Sequence, residues 1–259
     1  MSQQEMLESC LQISGSFENG DPAYDAITGN FDGMGMSVGI LQWNAGTGTL
    51  AMLLQKMIQN AGGIEPINAF FANGENVASI AQMAPAQAKQ FVITSFTKDG
   101  MHLTPQAIQD WQQMLQADFS IAAQLDMAVN GVLAKAMTLA GQFTQTLNMR
   151  DIAFFFDLVT QSGGMANSRG SVTPLLDPNQ STWQQAIAFT QSKSAKSAEY
   201  WQTVCATDTQ ARILLHYAYQ RALLSRPEYT WAALSRRGAI ACRGGVVNGS
   251  WFDFSQSLP

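Results

Sequence analysis

From Phe31 to Trp43, glycines at 33, 35 and 39 alternate with Met34, Met36 and Val38. A period of two with glycine punctuation predicts a β-hairpin or small sheet with close backbone approaches. It is the one sheet-like stretch in a chain whose apolar residues otherwise recur at helical spacing, so sheet structure is confined to a small element near the start. Met6, Leu7, Cys10, Leu11 and Ile13 define a first helix that ends at Gly15 and Ser16. Thr49 to Asn60 define another, stopping at Gly62-Gly63.

Residues 66 to 96 read as short helices separated by Asn73-Gly74 and Pro85. Thr104-Pro105 supplies an N-cap and a first-turn proline for a helical stretch running to about residue 147. Asp151 to Gln161 is a strongly apolar helix with one charge near its middle, Asp157, and it ends at Gly163-Gly164. Residues 165 to 180 are a Gly/Asn/Ser/Pro-rich connection. Ser181 is predicted to cap the next helix, and Thr207-Asp208 the helix carrying Arg212 and Arg221. With 259 residues, 46% of them hydrophobic, the chain can bury one substantial core or two lobes around a cleft. No repeat or linker divides it, so a single domain of two lobes over residues 1–259 is expected, of mainly α class.

Composition narrows the function. No stretch approaches the roughly 18 apolar residues of a membrane span, so no transmembrane segment is expected. The N-terminus MSQQEMLESC lacks the basic and apolar regions of a secretory signal peptide. A net charge of −5 with 13% charged residues argues against nucleic acid as a partner. Cys10, Cys205 and Cys242 cannot all pair and match no metal spacing, so buried free thiols are expected. Two histidines, His102 and His216, make a histidine-rich metal site improbable.

Glu18 follows the first helix and Phe17; Asp32 lies in the glycine-rich turn. Hydrolysis of a glycosidic bond uses one carboxyl group to donate a proton and another to activate water or attack the sugar. Apolar neighbours such as Phe17 raise the pKa of a carboxyl group and suit it to the acid role. Each residue alone reads as an ordinary loop or turn acid, and Asp21 and Asp25 are rivals for the second carboxylate. Ser37, five residues after Asp32, is either a water-holding hydroxyl or a small residue in a crowded sheet. Trp43 is either a sugar-stacking platform or a core residue.

Glu18-Asn19, Asp32-Gly33-Met34-Gly35, Ser37, Gly39-Ile40 and Gly46-Thr47-Gly48 together resemble the catalytic segment of the inverting chitosanases, within the lysozyme-like superfamily. The resemblance covers about residues 16 to 50. It implies an α+β lysozyme-like fold, two helical lobes around a cleft with a small sheet near residues 31–43. It also implies Glu18 as general acid, Asp32 as general base and Ser37 as the residue that positions water. The Glu-to-Asp interval is shorter than in chitosanases, and the strand reads Leu41-Gln42-Trp43-Asn44. That version is closer to a bacterial and phage group of lysozyme-like proteins associated with peptidoglycan, which look like muramidases.

The expected activity is therefore hydrolysis of β-1,4 links in peptidoglycan, with no cofactor. Asn19, Asp25, Gln42, Trp43 and Asn44 are the expected substrate contacts. Chitosan hydrolysis and non-catalytic glycan binding are the alternatives. The resemblance further implies cell-wall action after non-classical delivery, and a possible immunity protein as partner. Asp157 is expected either at a helix surface or in a buried charge hub with Arg212 or Arg221. Arg236, Arg237 and Arg243 read as a solvated basic patch or as a site for peptidoglycan carboxylates.

Overall fold

The computed structural model describes residues 2–17 and 23–258. Among these the chain forms twelve α-helices and three small antiparallel sheets, a mainly α protein. It divides into two compact units, one of Met1–Asp21 with Val129–Pro259 and the other of Pro22–Ala128. Among the described residues no helix is long and apolar enough to cross a membrane.

In unit one, α1 (Gln3–Ser16) starts with a reciprocal cap: Ser2 Oγ accepts the Glu5 N–H at 3.2 Å, and the Glu5 carboxylate accepts the Ser2 N–H at 2.6 Å. Unit two opens with a three-stranded antiparallel sheet, β1 (Ile27–Thr28), β2 (Ser37–Val38) and β3 (Trp43–Asn44). Ile27 lies opposite Val38, which in turn lies opposite Trp43. The sheet begins earlier than the 31–43 alternation predicts, and each strand has only two residues. Gly33, Gly35 and Gly39 have φ of 76°, 85° and 75°, a left-handed conformation that turns the backbone instead of extending it. The glycines therefore build the connections, and the strands lie between them.

Five helices complete unit two: α2 (Thr49–Ala61), α3 (Glu65–Asn68), α4 (Pro85–Phe96), α5 (Pro105–Leu115) and α6 (Asp118–Met127). Pro85 and Pro105 occupy first-turn positions, where a missing N–H leaves no helical bond unmade. Leu50, Leu53, Leu54 and Met57 of α2 are buried in a core that includes Phe71, Phe96 and Trp111. The Trp111 ring meets Phe71 and Phe96 edge-on at 5.3 and 5.7 Å. The helical stretch expected from Pro105 is present, interrupted once after Leu115, and α6 passes into a π-helical stretch at Ala128–Leu133, where unit two ends.

Unit one continues with α7 (Ala134–Thr144), α8 (Met149–Ser162), the hairpin β4 (Ala166–Asn167) and β5 (Gly170–Ser171), then α9 (Trp183–Gln191). It closes with α10 (Ala195–Thr207), α11 (Thr209–Leu223), α12 (Thr230–Ala241) and the hairpin β6 (Gly244–Val247) and β7 (Ser250–Asp253). Every residue of α8 from Arg150 to Val159 is buried, the place of a central helix, and its charged Arg150, Asp151 and Asp157 are held by polar partners. Helices α1, α7 and α12 pack around it. At Gly238 a side chain would collide with the indole of Trp201, whose Nε1 donates to the Gly244 carbonyl at 2.8 Å. Asp208 caps α11 as predicted, accepting the Ala211 N–H at 2.9 Å. Ser181 does not cap α9; Thr182 precedes that helix, and its hydroxyl meets His216 Nδ1 at 3.0 Å instead of a helix N–H. All three cysteines are free and buried.

Candidate active site

Asp32 stands in the turn between β1 and β2, and that turn is braced from within. Asn30 Oδ1 accepts the Gly35 N–H at 2.8 Å, while Asn30 Nδ2 donates to the Gly100 carbonyl at 3.0 Å. The Asn30 N–H donates to the Met101 carbonyl at 2.9 Å, tying the turn to the 99–102 loop. That loop is itself held by Asp99, which accepts N–H groups from Met101 and His102 and faces His102 Nδ1 at 2.6 Å. Bonds from the His102 backbone first, then from its ring and from Met101, pull the Asp99 carboxyl down to about 2.

Asp32 is exposed, and its Oδ1 accepts the Met34 N–H at 2.9 Å. Its Oδ2 has no partner among the described residues. Exposed apolar side chains flank it, Phe31 at 64% and Met34 at 43% exposure, and the Phe31 ring leans edge-on against His102 at 5.3 Å. A fixed carboxylate between apolar surfaces is chemically able to accept a proton from water. Ser37 is buried on β2, and its hydroxyl makes no hydrogen bond among the described residues.

The other expected contacts are occupied internally. Gln42, at φ 54°, donates from Nε2 to the Gly39 carbonyl at 3.0 Å and accepts the Thr28 hydroxyl at 2.9 Å. Asn44 Oδ1 accepts both the N–H and the hydroxyl of Thr47 at 2.9 Å, shaping the turn into α2. Trp43 is a core residue with 6% exposure, which overturns its reading as a sugar platform. Asp25 is half-buried and accepts from Gln116 Nε2 at 2.7 Å. Glu18 and Asn19, together with Asp21, lie outside the described residues.

Sequence reasoning missed Gln124. This fully buried side chain on α6 accepts the Ile40 N–H at 3.1 Å and donates to the Tyr24 carbonyl at 3.1 Å, pinning the β2–β3 connection and the approach to β1. A glutamine on the apolar side of a helix was the available signal, because a buried amide must find partners.

Asp157 forms a buried hub, but with other arginines than those expected. Its Oδ1 accepts from Arg236 Nε at 2.5 Å and from the Ser14 hydroxyl at 2.9 Å, and its Oδ2 lies 3.8 Å from Arg237 Nε. Arg212 instead donates to the carbonyls of Cys205 and Ala206 at the end of α10, and Arg221 to those of Ser162 and Gly164 at the end of α8. The helical order accounts for the correction: α12 packs directly on α8, and α11 directs its arginines to helix ends with orphan carbonyls. Nor do Arg236, Arg237 and Arg243 form a solvated patch. Arg236 pairs with Asp157, Arg237 is 2% exposed, and Arg243 reaches Asp208 at 3.4 Å. Arg236 also lies 4.8 Å from the ring of buried Phe17, which packs against Phe252 and Phe254. A scan against models of known protein families finds no match for this chain, and a search of curated proteins finds no relative.

Proposed function

We propose that this chain is a lysozyme-like glycoside hydrolase that cleaves β-1,4 links of peptidoglycan with inversion. The observation that carries the reading is Asp32: an exposed carboxylate on a self-braced turn, one oxygen uncommitted among the described residues, with the unpartnered Ser37 hydroxyl five residues on. The motif surrounding these two residues supplies the chemistry. Glu18 protonates the leaving oxygen, Asp32 withdraws a proton from water, and Ser37 orients that water toward the anomeric carbon. Inversion requires the two carboxyl groups to stand roughly 6.5–9.5 Å apart so that water fits between the base and the sugar.

Digestion of purified sacculi and of chitosan, read by mass spectrometry, tests the reading. Wild type should release muropeptides with reducing N-acetylmuramic acid ends, and Glu18→Gln should release none. Chitosan oligomers alone would transfer the activity to chitosan. No product from either polymer would leave glycan binding without hydrolysis.

A further inference from the structure

Phe31, the residue before Asp32, is the one exposed aromatic side chain among the described residues of unit two. The segment that carries it is fixed against the 99–102 loop. A side chain at Gly29 would collide with the Met101 carbonyl oxygen, so glycine lets the two backbones approach this closely. The loop itself is closed by the Lys98 N–H, which donates to the His102 carbonyl at 2.9 Å, and by the Gly100 N–H, which donates to the Thr97 hydroxyl at 2.9 Å. Phe31 and Met34 on the turn and Met101 on the loop all stay exposed. Apolar side chains held open on rigid backbone add little to the core and mark a contact surface.

His102 supplies the polar half of that surface. Its ring lies 5.3 Å from the Phe31 ring, close enough for one sugar to meet both. Asp99 is ionised and accepts at 2.6 Å, so Nδ1 carries the proton and Nε2 is the acceptor of the neutral ring. Nε2 has no partner among the described residues. A β-1,4-linked amino-sugar ring has the matching surfaces. Its substituents are equatorial, so its faces present C–H groups and its rim presents hydroxyl and amide N–H donors. We propose that Phe31 and His102 form a sugar-binding subsite next to Asp32: the Phe31 ring stacks on a sugar face, and His102 Nε2 accepts a hydrogen bond from its rim. Asp99 is a positioning residue that fixes the imidazole tautomer. Resting on the hydrolase reading above, the ligand is an amino-sugar ring of the peptidoglycan strand beside the bond that is cut. Phe31 then takes the platform role expected of Trp43, which lies in the core.

Calorimetric titration with a soluble tetramer of alternating N-acetylglucosamine and N-acetylmuramic acid tests this, using the full chain with Glu18→Gln so that no turnover consumes the probe. Digestion of sacculi by wild type runs in parallel. Phe31→Ala should weaken the tetramer about tenfold, and Phe31→Tyr, which keeps the ring, should weaken it little. His102→Ala should weaken it about threefold or more. Both side chains are exposed, so melting temperatures should barely change. The chain has two histidines, so NMR of the ring nitrogens resolves them. The tetramer should shift His102 Nε2 and leave buried His216 in place. Unchanged affinity in Phe31→Ala, an unmoved His102 signal, or no binding of the tetramer overturns the proposal even where sacculi are digested. Binding that needs the Phe31 ring and moves His102, without digestion by wild type, upholds the subsite and overturns the hydrolase reading instead.

Discussion

Replacing Asp157 by Asn removes one charge from the centre of unit one while keeping its shape. The side chain is fully buried and holds Arg236 at 2.5 Å, the Ser14 hydroxyl at 2.9 Å and Arg237 at 3.8 Å. An amide can still accept one of these hydrogen bonds, but both guanidinium groups lose the Asp157 charge. Breaking a buried ion pair by removing one partner costs about 3–5 kcal/mol. Buried Arg237 and partly buried Arg236 both face this carboxylate, so the upper half of that range is expected. A protein of this size loses about 2–4 °C of melting temperature per kcal/mol, so Asp157→Asn should melt about 8–20 °C below wild type. Urea unfolding followed by circular dichroism gives the free energy, and amide exchange should show the protection lost from α1, α8 and α12. Arg237→Met added to Asp157→Asn should recover part of the loss, because it removes a buried charge that then has only like-charged Arg221 and Arg236 beside it among the described residues. A loss below about 1 kcal/mol for Asp157→Asn, with no recovery in the double variant, would refute the hub.

Two glycines of the β1–β3 segment separate backbone strain from crowding. Gly33→Ala meets no neighbouring atom and suffers only the left-handed backbone, about 1 kcal/mol, whereas Gly39→Ala also collides with Gln124 and presses on Trp43 at 2.9 Å, and should cost about 2–4 kcal/mol by thermal melting. His216 is held below its ordinary value of 6.5 by burial, and its Nδ1 accepts the Thr182 N–H at 3.1 Å. The unfolded chain therefore binds the proton first, so stability is full above pH 6.5 and declines as pH falls towards the folded value. Melting temperatures between pH 5 and 7.5 should show this slope, and His216→Gln should flatten it.

The helices were legible because their punctuation is local. Gly62 and Gly163 end α2 and α8, and Thr104 and Asp208 cap α5 and α11, each through bonds within a turn of the residue named. The sheet was legible in position but not in form, because glycine alternation resembles a strand until the sign of φ is known. Partner choice was not legible. Whether Asp157 meets Arg221 or Arg236 depends on which helix packs on α8, and that is decided by long-range packing, not by spacing along the chain. Trp43 and Ser37 show the same division. Strand register buries both, and nothing in their immediate neighbours announces it. Asp32 was found through its motif, and the turn that holds it uses bonds from Asn30 to a loop seventy residues further on.

The configuration of the first reducing ends released from peptidoglycan glycan strands, followed by proton NMR as they form, tests the central claim most directly. Inversion by Glu18 and Asp32 predicts that the α-anomer appears first and drifts to the equilibrium mixture, and that Asp32→Asn releases neither anomer. An initial β-anomer, or undiminished release by Asp32→Asn, would contradict the assignment of Asp32 as the base that activates water.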